Sequence, residues 1–397
     1  MTNQFSSLMP VYDRAPYDMV RGDGSYLIDS QGRRHLDFAA GIAVNSFGHC
    51  HPRLVEALEK QARTLWHVSN LYESQAQEKV AKKLSDISFA DLVFFTNSGV
   101  EAVECAIKAA RRYHYIRDQV QKYEIISFEN AFHGRSFGAI SASNQKKLRA
   151  GCKPLLPGFT TVPFNDLKAV EDAITDQTAA ILLEPIQGEG GIVAAHPQFL
   201  SGLRRICDQQ NILLIFDEIQ CGFGRTGKLF AYEHWAIAPD IMTIAKGLGG
   251  GFPIGACLAT KEAASGMVAG THGSTFSGNP LAMAVANAAI DLITEDGFLD
   301  KVANMGKTLF HEMQQICTDH DRIFDTSQKI RGLGLMLGLP LRVPNQDFVA
   351  HARRHGFLSV PGGDNVMRLL PPLVISPDDI QEAVRLLSNA ARDFPID

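Results

Sequence analysis

Two short apolar runs, each stopped by an ionisable residue, constrain this chain more than anything else in its sequence. Ile212-Leu213-Leu214-Ile215-Phe216 ends in Asp217-Glu218-Ile219-Gln220. Ile241-Met242-Thr243-Ile244-Ala245 ends in Lys246, followed by Gly247-Leu248-Gly249-Gly250-Gly251. Runs this short, apolar and β-branched suit strands buried on both faces of a parallel sheet. Open α/β sheets bind ligands beyond the carboxyl ends of their strands. Both runs therefore deliver an ionisable side chain to that edge, an acid from one and an amine from the other. Taken alone, the pattern favours the plainer reading of a strand-end Asp and a surface Lys.

The surrounding chain repeats a strand–helix rhythm. Residues 92–95, 125–128, 180–183 and 254–259 read as strands, and 100–112 as a helix. The spacing of Phe199, Leu203 and Ile206 predicts another helix, and Pro280 opens a further one through Leu281, Val285, Ala288 and Leu292. That alternation predicts an α/β fold with a mostly parallel, helix-covered sheet. Upstream, Tyr26-Leu27-Ile28-Asp29 and His35-Leu36-Asp37-Phe38 flank Ser30-Gln31-Gly32 as a hairpin, residues 39–51 read as a loop, and Pro52 starts a helix through Leu54, Leu58, Ala62 and Leu65. After about residue 295 the pattern changes. A long amphipathic helix (Phe298, Val302, Met305, Leu309, Met313, Ile316) precedes short strands at 333–339, 358–360 and 366–370, and a last helix is capped by Ser376 and started by Pro377. The expected division is a large domain over 51–294 and a smaller α+β domain over 295–397, with 1–50 contributing to the small domain.

The formal charge of -5 offers no basic excess for nucleic acid or an anionic membrane. The seven cysteines are dispersed without C-x-x-C spacing, and the 13 histidines form no metal-type pair. Residues 1–24 lack the apolar core of a secretory leader, and no apolar run approaches bilayer length. A cytoplasmic protein with no metal, no nucleic acid and no membrane partner is the expectation.

Several other segments bear on the strand-end pair. Thr96-Asn97-Ser98-Gly99-Val100-Glu101 lies between a strand and a helix, with capping-box spacing at Ser98 and Glu101. The free N–H groups of such a helix start can hold a phosphate, although a well-capped helix explains the spacing equally. Phe132 can stack on a flat ring and Arg135 can grip a carboxylate, or they are a packed Phe and a solvated Arg. Glu189 stands in the glycine-rich stretch Gly188-Glu189-Gly190-Gly191, as a mobile acid or a loop charge. Ser274 and Thr275 precede a helix start, where capping is the plain reading. Arg368 interrupts the apolar run Val366-Met367-Arg368-Leu369-Leu370 and requires a polar pocket or partner, because an unpaired buried guanidinium is costly. An acid, an amine, an anion cradle and a ring-sized aromatic together point to pyridoxal 5'-phosphate, with Lys246 as its Schiff-base anchor and Asp217 on the pyridine nitrogen.

Taken together, Phe216-Asp217-Glu218-Ile219-Gln220, Gly222-Phe223-Gly224-Arg225-Thr226-Gly227 and Ala245-Lys246-Gly247-Leu248-Gly249-Gly250-Gly251 resemble the class III (ornithine-type) aminotransferases of the fold-type I pyridoxal phosphate enzymes. The resemblance spans nearly the whole chain. Ala43-Val44-Asn45 with Gly48-His49, and Phe132-His133-Gly134-Arg135, are most similar to the members that act on acylated ornithine. It implies that Lys246 carries the reacting proton, Asp217 keeps the ring nitrogen protonated and Gln220 contacts the ring hydroxyl. Phe132 and Ile219 would sandwich the ring, and the stretch Ser98, Gly99 and Val100 would hold the phosphate. Thr275 would reach in from a second subunit of a homodimer with shared sites. Ser274 and Arg135 would bind the donor and Arg368 the second carboxylate of 2-oxoglutarate. Glu189 would be the switch that neutralises Arg368 while the donor is bound. The expected reaction is transfer of the terminal amine of an acylated ornithine to 2-oxoglutarate in arginine biosynthesis. Succinylornithine, N-succinyl-diaminopimelate, ornithine and 4-aminobutyrate are the alternative donors. A decarboxylase or racemase on the same fold, and a binding protein without activity, are the more distant ones. Val100 stands where a hydroxyl or Ala is usual in the family, and Ser277 where Gly is.

Overall fold

The computed structural model describes residues 7–395, so the leader and domain readings at the two termini fall partly outside the described residues. The N-terminal segment forms β1 (Met19–Asp23), β2 (Tyr26–Asp29) and β3 (Arg34–Asp37). The middle of the chain supplies β4 (Leu92–Thr96), β5 (Glu124–Phe128), β6 (Phe159–Val162) and β7 (Thr178–Leu183). It continues with the short pair β8 (Ile186–Gln187) and β9 (Val193–Ala194), then β10 (Leu213–Asp217), β11 (Ile241–Ile244) and β12 (Gly255–Ala259). The C-terminal part adds β13 (Arg331–Leu333), β14 (Met336–Pro340), β15 (Phe357–Leu358), β16 (Val360–Gly362) and β17 (Val366–Leu369).

The seven-stranded sheet runs β4-β12-β11-β10-β7-β5-β6. β6, β5, β7, β10 and β11 are parallel, and only β12 runs against its neighbours. The two runs that opened the sequence reading are adjacent and buried throughout, with Asp217 level with Thr243. Strand alternation then decides which way each residue points. Leu213 and Ile215 pack with Val103, Ala106 and Ile107 of the helix Gly99–Tyr115. Leu214 and Phe216 pack on the other face with Leu200 and Leu203 of the helix Pro197–Gln210. Asp217 therefore emerges on the side of Gly99–Tyr115, whose N-terminus lies at the same sheet edge.

The C-terminal sheet β13-β14-β17-β16 is antiparallel, and β15 pairs with β3, joining the two ends of the chain. Ser376 caps the helix Pro377–Asp393 by accepting from Asp379 N at 3.1 Å, as its sequence predicts. Arg225, 1% exposed, ties this part to the loop after β10, donating from Nη1 to the carbonyls of Leu335 and Pro371.

Two readings of elements needed correction, and one helix went unread. Residues 39–51 are not a plain loop: Ala40, Gly41, Ile42 and Ala43 make a turn with φ of 46°, 66°, 64° and 63°. A β-branched Ile42 in that region is strained. The single strand expected at 333–339 is a hairpin broken at Gly334. The helix Gln75–Asp86 escaped notice because only Val80 and Leu84 are buried, too few to mark a stripe.

Candidate active site

The carboxyl ends of β4, β5, β7, β10 and β11, with the loop entering β12, surround a cavity of about 530 Å³. Asn97, Ser98, Gly99 and Val100 follow β4, and Phe132, His133 and Arg135 follow β5. Glu184 follows β7, Asp217, Ile219 and Gln220 end β10, and Lys246 follows β11.

At one end lies the start of the helix Gly99–Tyr115. The expected capping box is not formed. Ser98 makes no side-chain cap bond, and Glu101 Oε2 accepts instead from Asn97 N (2.7 Å) and Asn97 Nδ2 (2.9 Å). The first-turn N–H groups have no partner within the helix and face the cavity. A Cβ on Gly99 would lie 2.7 Å from Ile219 Cδ1, so glycine is what lets Ile219 close over this end. The Val100 side chain turns to Gly134 rather than offering a polar atom.

At the floor, Asp217 is 2% exposed. Its Oδ1 accepts from Ile219 N (3.1 Å) and Thr243 Oγ1 (3.2 Å), and His133 Nδ1 donates to Oδ2 at 2.7 Å. Burial works against an imidazolium at His133, but the hydrogen bond and charge of Asp217 outweigh it and its pKa is raised. Glu184 is 5% exposed and burial pushes its carboxyl up to about 7, although Phe132 N and Gly188 N donate to it at 3.0 and 3.1 Å. Lys246 sits at φ 43°, a conformation an L-residue holds only at a cost. Burial lowers its ammonium to about 8, and the charges of Glu189 and Asp217 offset part of the fall.

The other end belongs to the arginines. Arg135 is exposed at the cavity lip. Arg368, 2% exposed, reaches in from β17: its Nη1 donates to Glu189 Oε1 at 2.7 Å and to Gln220 Oε1 at 3.4 Å. Its Nε and Nη2 donate to Pro361 O at 3.2 and 3.0 Å. Glu189 and Arg368 thus flank the cavity rather than line it. Ser274 stands behind the phosphate-type end, where Asn97 Nδ2 donates to its Oγ at 3.0 Å, and Ser277 accepts from Asn70 Nδ2 through its carbonyl at 3.1 Å. Thr275 is exposed and away from the cavity of its own chain.

His133, Glu184 and Asn97 were not singled out from sequence. Glu184 carried a usable signal, since it ends an apolar strand as Asp217 does. His133 stands in a quoted motif, but no local spacing ties it to a partner 84 residues away.

Residues 9–391 match the family described as Aminotransferase class-III. The acetylornithine aminotransferase of Agrobacterium fabrum is 54% identical over 98% of this chain and 97% of that protein. That of Rhodobacter capsulatus is 53% identical over 97% and 98%. The chain belongs to the class III aminotransferases. Among solved structures, N-acetylornithine aminotransferase from Stenotrophomonas maltophilia superposes with a TM-score of 0.83 at 37% identity, covering 96% of this chain and 97% of that one. Ornithine aminotransferase from Toxoplasma gondii superposes at 0.92 with 32% identity, covering 97% and 92%. The chain is accordingly a pyridoxal phosphate-dependent transaminase of fold-type I, and the reading as an inactive binding protein falls away. The residues present fit that cofactor. A buried carboxylate is oriented by three donors, the helix start is left uncapped by Ser98, and the one amine on the cavity is held well below its ordinary pKa.

Proposed function

We propose that this transaminase moves the terminal amino group of N2-acetylornithine to 2-oxoglutarate, giving N-acetylglutamate 5-semialdehyde and glutamate, a step of arginine biosynthesis. The observation that carries the reading is the Glu189–Arg368 pair at 2.7 Å, a buried cation masked by a movable acid. A dicarboxylate acceptor needs a second cation, whereas a donor presenting a terminal amine needs that cation hidden. Arg135, at the lip, suits the donor's distant α-carboxylate. The names of the relatives, at half identity or more over nearly full length, point to the acetylated donor among the ornithine-type amines.

Bound pyridoxal phosphate supplies the aldehyde that takes up the amine and the ring that withdraws electrons from the adjoining bond. The chain's own groups do the rest. Lys246 anchors the cofactor and carries the proton at the reacting carbon, work for which an amine held near neutral pH is suited. Asp217, oriented by the hydrogen bond from His133, would hold the proton on the ring nitrogen. Gly99 and Val100 hold the phosphate through backbone N–H groups, with Ser98 beside them. Phe132 and Ile219, both on the cavity, would flank the ring, and Gln220 would serve its hydroxyl.

We place the enzyme in the cytoplasm as a homodimer in which Thr275 completes the partner's phosphate site. Trp66 (65% exposed), Leu71 (89%), Tyr72 (68%) and Phe276 (63%) supply the apolar surface that such an assembly would cover. The β3–β15 pairing supports placing residues 1–50 with 295–397, around the larger 51–294 unit. No helix among the described residues is long and apolar enough to cross a membrane.

Steady-state kinetics with 2-oxoglutarate and a panel of acetylornithine, succinylornithine, N-succinyl-diaminopimelate, ornithine and 4-aminobutyrate tests the assignment. The highest kcat/KM is expected with acetylornithine. A preference for free ornithine or 4-aminobutyrate would overturn it.

A further inference from the structure

The loop that carries Glu189 joins β8 to β9, but its backbone is held by the C-terminal sheet. Gly363 N, in the turn between β16 and β17, donates to Glu189 O at 2.8 Å. Arg331, on β13, donates from Nη1 to Gly191 O at 3.3 Å. From Nη2 the same guanidinium donates to Asp364 Oδ2, in the β16–β17 turn, and to Gln328 Oε1 at 2.7 Å. Gly191, at φ 105°, fits only because it has no Cβ: one would lie 2.6 Å from Gly363 O. The Glu189 side chain, by contrast, is 32% exposed. The acid and Arg368, its partner on β17, are therefore fastened to one another through their backbones, and only the Glu189 side chain has room to move.

We infer that Arg331 is a specificity-determining positioning residue, which straps the 188–192 loop to the β16–β17 turn so that Glu189 stays in register with Arg368. The inference rests on the reading of Glu189 as the mask over Arg368. Its basis is the planar fork of the guanidinium, one nitrogen on the loop carbonyl and the other on the turn, which a lysine ammonium cannot reproduce. Stability gives a weak reason for the arrangement, since Asp364 is exposed and an exposed ion pair contributes little. With the strap removed, Glu189 leaves Arg368 more often. Arg368 then receives the α-carboxylate of an α-amino donor such as glutamate more readily, while the distant carboxylate stays with Arg135.

The test compares the two half-reactions of the holoenzyme by single-turnover absorbance, glutamate on one side and the best ω-amino donor on the other. Arg331→Ala is expected to raise the glutamate-to-ω-donor ratio of kcat/KM roughly 3- to 10-fold. Arg331→Lys, which keeps the charge but loses the fork, should shift the ratio the same way. On a Glu189→Gln background Arg331→Ala should add nothing, because both changes act through one mask. An unchanged ratio in Arg331→Ala would overturn the inference. So would equal losses in both half-reactions accompanied by a lower Tm, or a full further shift on the Glu189→Gln background. A wild-type enzyme that accepts glutamate but no ω-amino donor would instead defeat the proposed function, whatever Arg331 does.

Discussion

At the floor of the cavity Asp217 is gripped by Thr243 of β11 and by His133 and Ile219 from the segments that directly follow β5 and β10, whereas at the rim Arg368 meets Glu189 across two separate parts of the chain. The floor residues sit at the ends of strands whose every side chain is buried, so moving them would disturb the core. The rim rests on glycines, a short turn and an acid one-third exposed, where a side chain can change partner without disturbing packing. On the proposed assignment, the contrast teaches that chemistry common to both half-reactions is built rigidly, while the discrimination between two substrates is built where one side chain can move.

The strongest way to break the comparison is at the floor. Lys246→Ala should lower transamination by roughly 10²- to 10⁴-fold with every donor and abolish the cofactor's imine absorbance band. A donor-dependent loss would mean that the floor is not common to both half-reactions. Next comes the rim. Arg368→Ala should raise KM for 2-oxoglutarate by about 30-fold or more, the equivalent of ~2 kcal/mol, with little change in the single-turnover rate of the donor half-reaction. Equal damage to both halves would erase the distinction.

A pH measurement sharpens the description of the floor. With burial holding the Lys246 ammonium near 8, cofactor uptake by the apoenzyme should rise with pH and reach half its maximum near pH 8, because only the neutral amine is nucleophilic. A midpoint near 10 would contradict the buried amine. The smallest effect is on stability. Burial raises Glu184 to about 7 and Glu218 to about 8, so the folded protein holds protons that the unfolded chain has already released. Their stabilisation is complete below about pH 4.5 and is lost as the pH rises through 7 and then 8. Apoenzyme Tm should decline by several degrees across that window, and Glu184→Gln should flatten the lower part of the decline. A slope unchanged in that variant would show that Glu184 does not titrate there.

Much of the floor was legible beforehand, because it follows from local pattern. A buried strand announces itself in four or five consecutive apolar residues, and the polar residue that ends it must lie at the sheet edge. That argument located Asp217 and Lys246, and it would have located Glu184. Ser98 was legible as a helix start but not as an unused cap, since Glu101 turned to Asn97 instead. Thr275 remains an assignment to a second copy of the chain.

By itself the sequence determined most strand runs of the large sheet, several helix starts and the identity of the groups delivered to one edge. Hydrophobic periodicity and capping act over a few residues, and both are written in consecutive positions. Only the tertiary structure decided that His133 would hold Asp217 and that Arg331 would reach Gly191 across 140 residues, while the contact of Arg368 with Glu189 across 179 residues was implied by family resemblance and not by any local pattern. Those pairings depend on how the C-terminal sheet docks against the loops of the first, and no local spacing encodes the distance between surfaces that come together only on folding.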